Sequence, residues 1–203
     1  MIVKANESGV ITKVEPDSIT QIVNGYKTLT IVGGEFAIVP HEYNIAIKTL
    51  LGSCVSMMFF DKRLKTIAMN HFLLPEGTSN TSMKFGLNSV ESMINEMYKM
   101  GSRKSDLVVK LAGGAHIIAA HDNRIGDKNI EFAQNFCKVE GFPIESQHVY
   151  DVHGRVVLLT SNFDTFIRIV KNKAIEAEIT SHENNLATLP QEKVQESSGV
   201  TFF

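Results

Sequence analysis

The chain has no tryptophan, only two cysteines, and no apolar run near the roughly 18–20 residues that cross a membrane. Insertion into a bilayer is therefore not expected. Two cysteines in 203 residues make no disulfide framework. There is no CxxC pair and no Cys/His cluster at zinc-ligand spacing. Charge of one sign is lacking too. Twenty Lys and Arg stand against 22 Asp and Glu, a formal net charge of −2. Without a basic surplus to neutralise phosphates, nucleic-acid binding is excluded as a main role. The opening MIVKANESGV turns polar after three residues, unlike a secretory signal. Free thiols and a cytoplasmic location are the expectation.

What is present is an ordinary globular composition, 43% hydrophobic and 21% charged. Residues 1–27 are weakly patterned and read as an extension with one short strand. TLTIVGGEFAIV reads as strand, turn, strand around Gly33-Gly34, and NIAIKTLL as a strand ending at Gly52. Apolar runs at 54–60 and 65–74 flank the polar loop 61–64, which suggests a hairpin. Leu87, Val90, Ile94 and Met97 recur at helical spacing, with Asn88 and Glu91 placed like a capping box and Gly101 as the stop. LVVKLAGG reads as a strand. A second helix runs through Ile130, Ala133, Phe136 and Cys137, capped by Asp127 and ended by Gly141. PIESQHVY, RVVLLTS and DTFIRIV read as three more strands. From 174 to 203 the chain turns polar and reads as a flexible tail with an apolar end, Val200 to Phe203. The single domain is thus expected over 28–173.

The hairpin carries chemistry. With a loop at 61–64, Phe60 pairs with Lys65. Cys54, six residues back, then faces His71, six residues on. Directly opposed residues share a face with Cβ atoms about 4.5–5.5 Å apart. A slip of one residue would send them to opposite faces. A free cysteine is mostly thiol at neutral pH, and a neighbouring imidazole can take its proton and make a nucleophile. Gly52 permits a sharp turn, and the backbone N–H groups near Ser53 and Cys54 are candidates to hold an oxyanion. At the start of its strand, Cys54 is expected to lie open to substrate. Thr49 and Ser53 are candidates to orient the imidazole. The plainer alternative is that Cys54, in SCVSMMFF, is a small core residue.

Other features weigh less. Cys137 reads as core. His116 and His121, five apart, do not share a helical face, and with His148 and His153 they fit surface or turn roles better than metal binding. Gly113-Gly114 lacks the Lys-Ser/Thr of a phosphate loop and reads as a tight turn.

TLLGSCVSMMFFD, MNHFLLP, KFGLNSVESMINEM, KLAGGA, RIGDKNIEFAQNF and HGRVVLLTSNFDTFIRIVKN follow one another as in the chemoreceptor glutamine deamidase family CheD, which the chain resembles from about Thr30 to Lys173. The resemblance implies an α+β fold of packed β-sheets, sandwich-like, flanked by two or three helices and similar to deamidating-toxin cysteine hydrolases. It implies a cytoplasmic protein-glutamine amidohydrolase of bacterial chemotaxis, needing no metal or organic cofactor. The partners it implies are chemoreceptor cytoplasmic helices and a CheC-like phosphatase. Cys54 matches the family's nucleophile, His71 its base and Thr49 its orienting threonine. In some relatives that threonine lies one residue upstream, where this chain has Lys48. His153 in DVHGRV stands where the family often has a glycine. The same resemblance leaves open a protein that mainly binds and regulates the phosphatase. A hydrolase of some other amide or thioester is a weaker alternative.

Overall fold

A computed structural model describes residues 1–6, 8–74, 80–116 and 124–171, together with 177 and 181, and only the backbone over 80–87. The expected tail at 174–203 and His121 fall outside the described residues, apart from those two positions.

Twelve strands and two helices are described. The strands are β1 (Ile2–Ala5), β2 (Ile11–Val14), β3 (Ile22–Val23), β4 (Tyr26–Thr30), β5 (Phe36–Pro40), β6 (Ile45–Leu51), β7 (Val55–Asp61), β8 (Thr66–Asn70), β9 (Leu107–Gly113), β10 (Ile144–Val149), β11 (Arg155–Leu159) and β12 (Thr165–Ile169). The helices are α1 (Asn80–Lys99) and α2 (Ile125–Glu140). The strands form two mixed sheets. A seven-stranded sheet has the order β10-β9-β7-β8-β5-β1-β2, and a five-stranded sheet has the order β12-β11-β6-β4-β3.

Alternation of side chains across the larger sheet explains the layering. On β7, Val55, Met57 and Phe59 face one way and join Val90, Met93 and Met97 of α1 and Ile130, Ala133 and Phe136 of α2. Cys54 and Met58 face the other way and join Ile45, Ile47 and Leu51 of β6 and Val157 and Leu159 of β11. The result is three layers: helices, large sheet, small sheet. A strand covered on both faces can be apolar throughout, as FAIVP of β5 is, with all five residues buried. The fold is α+β with packed sheets.

Residues 1–27 hold three strands rather than one. The apolar alternation in MIVKA is short, yet Ile2 and Val3 are buried in opposite layers and β1 pairs with β5. The two strands around Gly33-Gly34 are not hairpin partners. β4 joins the small sheet, parallel to β6, and β5 joins the large one. α1 begins at Asn80, so Asn88 is an exposed interior residue and not a cap. Asp127 sits in the first turn of α2, with Arg124 at the cap position. Gly141 ends α2 in the left-handed conformation (φ 71°), its N–H donating to the Cys137 carbonyl.

Cys137 packs within the helix-side core, and burial pushes its thiol up to about 12. The folded pKa lies above the unfolded value, so the folded state keeps a proton that the unfolded chain releases. This stability is full below the unfolded pKa of about 8.5–9 and declines as pH rises toward 12. We expect Cys137→Ala to lose less stability than wild type between about pH 8 and about pH 10.5, by up to roughly 1.4 kcal/mol per pH unit. Urea midpoints of the two proteins at both pH values measure this; equal losses would refute it.

Candidate active site

β6 supplies the first functional side chain. Ile45, Ile47 and Leu51 point into the space between the sheets, and Thr49 shares their face by strand alternation. Lys48 falls on the opposite face, which settles which of the two neighbouring positions meets the imidazole. Thr49 is buried, and its Oγ1 lies 2.9 Å from the Ile31 carbonyl and 2.8 Å from His71 Nδ1. A hydroxyl has one proton, and a carbonyl can only accept. The Thr49 hydroxyl therefore donates to Ile31, and Oγ1 accepts the Nδ1–H of His71. That fixes the neutral tautomer, with the lone pair on Nε2.

His71 follows β8 directly and is 4% exposed. Its N–H donates to the Glu35 carbonyl at 3.0 Å, and its carbonyl accepts from Gly34 at 2.8 Å. Gly34 has φ 85°, so the Gly33-Gly34 turn supports the histidine segment while carrying the chain between sheets.

The register between β7 and β8 differs from expectation by two residues. The observed pairs are Asp61 with Thr66, Phe60 with Ile67 and Met58 with Met69, followed by a bridge between Val55 and Phe72. The loop is 62–65 and not 61–64. Asp61 is the last strand residue: its Oδ1 accepts the N–H groups of Arg63 and Leu64 at 2.8 and 2.7 Å. Lys65 takes the left-handed conformation (φ 55°) to complete the turn. Continuing this register sets Cys54 opposite Leu73, so His71 is a diagonal neighbour. A shift of two keeps the parity, and Cys54 remains on the inter-sheet face with Met58, Met69 and His71.

Cys54 is not open to solvent. It is 0% exposed: its side chain lies in the core between the two sheets with Leu51, Met58 and Leu159, and the chain continuing β9 crosses beside its backbone. Gly114 N–H donates to the Cys54 carbonyl at 2.8 Å and Ala115 N–H to the Gly52 carbonyl at 2.7 Å. Gly113 has φ 119°, and a Cβ there would stand 2.1 Å from the Cys54 carbonyl oxygen. Only glycine fits that approach. A further segment braces the crossing from the other side. Tyr150 N–H donates to the Gly113 carbonyl and His116 N–H to the Asp151 carbonyl. Tyr150 and Asp151 are both in positive-φ conformations, 67° and 90°. Buried Arg155 of β11 donates to the carbonyls of His148 and Tyr150 and so ties this segment to the small sheet. His116 Nε2 pairs with Asp127 Oδ1 at 2.8 Å on the surface.

Sequence reasoning missed two asparagines. Asn70 Oδ1 accepts the Met57 N–H at 2.8 Å, replacing a backbone carbonyl where β8 gives way to the histidine segment. Asn129, fully buried on α2, donates from Nδ2 to the Ser53 carbonyl at 2.9 Å and accepts the Leu74 N–H on Oδ1 at 2.8 Å. An amide on the apolar face of a helix, one residue before Ile130, was the available signal.

The family model described as CheD chemotactic sensory transduction matches residues 73–169, a span that begins just after His71. A Ralstonia nicotianae protein named "Probable chemoreceptor glutamine deamidase CheD" is 31% identical over 162 residues, covering 76% of this chain and 69% of the relative. Relatives of the same name from Ralstonia pickettii and Agrobacterium fabrum are 30% and 37% identical, with 83% and 64% of this chain and 77% and 73% of theirs covered. Among solved structures, the hypothetical protein YfiH of Bacillus licheniformis is similar at 13% identity and a TM-score of 0.36, over 51% of this chain and 46% of that one. That likeness is too slight to build on. The three relatives are similar over most of their own length as well as this chain's, and the chain belongs to the CheD family.

Proposed function

We propose that the protein hydrolyses the side-chain amide of selected glutamines on chemoreceptor cytoplasmic helices, in the cytoplasm, through a thioester on Cys54. The observation that carries the reading is the Thr49–His71 hydrogen bond, which leaves Nε2 as the basic atom of an imidazole sharing a buried face with Cys54. The relatives' names supply the substrate class.

The chemistry follows from these groups. His71 Nε2 takes the Cys54 thiol proton, and the thiolate attacks the carboxamide carbon. Backbone N–H groups near Ser53 and Cys54 hold the oxyanion. As the C–N bond breaks, His71 returns the proton to the nitrogen and ammonia leaves. Water then attacks the thioester, giving one proton to Nε2. The C–S bond breaks, Nε2 returns its proton to the sulfur, and glutamate departs as the carboxylate, its remaining proton passing to solvent. Thr49 holds the ring throughout, because its oxygen can accept from Nδ1–H in both the neutral and the charged ring. A Cys–His–Thr group on packed sheets is what a kinship with deamidating-toxin hydrolases would share. Selectivity for protein-bound glutamine comes from docking around the site, since one amide offers little discrimination.

Burial of Cys54 favours a second reading. A sulfur with no exposed surface suits a protein that mainly binds, here as a regulator of a CheC-like phosphatase. Under the first reading, local opening must admit the glutamine.

Mass spectrometry of receptor fragments decides between them. Wild type is expected to convert glutamine to glutamate (a gain of about 1 Da per site), and Cys54→Ala to lose about 10³-fold or more. Conversion that survives in Cys54→Ala removes the catalytic reading. Phosphatase binding without any conversion by wild type supports the second. Thr49→Val keeps the shape but removes the acceptor for Nδ1–H. It is expected to lower kcat roughly 10²-fold, while Thr49→Ser retains most of the rate. Equal kcat for wild type and Thr49→Val would show that the hydrogen bond does not serve the reaction.

A further inference from the structure

We infer that Asn129 of α2 is a positioning residue for the nucleophile: its carboxamide fixes the Ser53–Cys54 peptide plane and locks it to the segment that carries His71. The inference rests on Cys54 being the reacting group. Both ends of the carboxamide are used. Nδ2 donates to the Ser53 carbonyl at 2.9 Å, and Oδ1 accepts from Leu74 N–H at 2.8 Å. Ser53 immediately precedes Cys54, and Leu74 lies three residues after His71. One side chain thus spans the two segments whose relative position sets the distance between sulfur and imidazole.

The geometry of a trans peptide extends the effect. Its C=O and N–H point in opposite directions within one plane, and there are no cis peptides among the described residues. Holding the Ser53 carbonyl toward α2 therefore aims the Cys54 N–H away from α2. That N–H is one of the groups assigned to the oxyanion. The Cys54 carbonyl is held separately, by Gly114 N–H at 2.8 Å. The peptides on both sides of the sulfur-bearing residue are thus pinned, one from the helix layer and one from the glycine crossing.

The helix itself is seated to deliver this bond. A Cβ at Gly126 would stand 2.7 Å from the Gly114 carbonyl oxygen, and one at Gly114 would stand 2.5 Å from Ile130. The first turn of α2 thus presses on the glycine crossing without intervening side chains. Asn129 lies one turn beyond Gly126, on the same buried face as Ile130 and Ala133. Burying a carboxamide there costs stability unless both its ends are bonded, and both are.

Two variants test the role. Asn129→Ala removes both bonds. Asn129→Asp keeps an acceptor for Leu74 and loses the donor to Ser53, which preserves the test if the alanine variant fails to fold. Three readouts separate positioning from mere support: thermal stability, kcat against KM on a receptor fragment, and the pH midpoint of Cys54 alkylation by iodoacetamide, followed by peptide-resolved mass spectrometry. We expect each folded variant to lose about 10²-fold in kcat with KM within a factor of three. The alkylation midpoint should move by about a pH unit or more. A variant that melts earlier yet keeps wild-type kcat and the wild-type alkylation midpoint would overturn the inference. If wild type deamidates nothing, the function proposed above fails, and the alkylation midpoint alone still decides the role of Asn129.

Discussion

A single hydroxyl proton orders the candidate site. Thr49 can donate only once, and the Ile31 carbonyl takes that donation at 2.9 Å. What remains on Oγ1 is an acceptor, so the imidazole 2.8 Å away must present Nδ1–H. Thr49 belongs to the small sheet, and His71 extends a strand of the large one. The bond therefore exists only while the two sheets are packed face to face. Such a bond is worth about 1 kcal/mol of net stability and does not hold the layers together. The apolar residues between the sheets do that, and the bond converts their packing into a defined ring orientation and tautomer.

Much of this architecture is legible in the sequence because it follows from periodicity. Strands β4 to β12 and the second helix are where apolar patterning puts them, and Gly141 ends its helix as expected. The first strand is harder to read because four residues of MIVKA show little alternation, and it is pairing with β5 on one side and β2 on the other that makes them a strand. The pairing of β4 with β6 is not legible at all. A turn at Gly33-Gly34 looks the same whether the chain folds back or crosses to another layer.

The Cys54–His71 relation shows which kinds of error matter. Placing the loop at 61–64 treats Asp61 as solvated loop, whereas its carboxylate closes the turn from the strand end. That displaces the loop by one residue and the register by two. Side chains alternate with period two, so the error leaves both groups on the same face and changes only their offset along it. Burial was misjudged for a different reason. Strand starts are usually accessible, but the small sheet packs over this one, and Cys54 lies among Leu51, Met58 and Leu159 between the two layers. Gly113 and Gly114, read as a turn, bring the continuation of β9 against the Cys54 carbonyl.

All three layers contribute to the same small volume: Asn129 from the helices, Cys54 and His71 from the large sheet, Thr49 from the small one. Apolar packing alone would not suffice to place them. Cores accept exchanges among residues of similar volume at modest cost, and the layers could settle in slightly different positions without unfolding. Hydrogen bonds of 2.8–2.9 Å at Thr49 and Asn129 discriminate where packing does not, since each depends on both distance and angle and weakens as its groups move out of line. This division of labour explains why the layers can be read from hydrophobic pattern and the site only in part. Pattern reports which faces are buried, while the polar residues that fix the final geometry are isolated amides and hydroxyls with no period of their own.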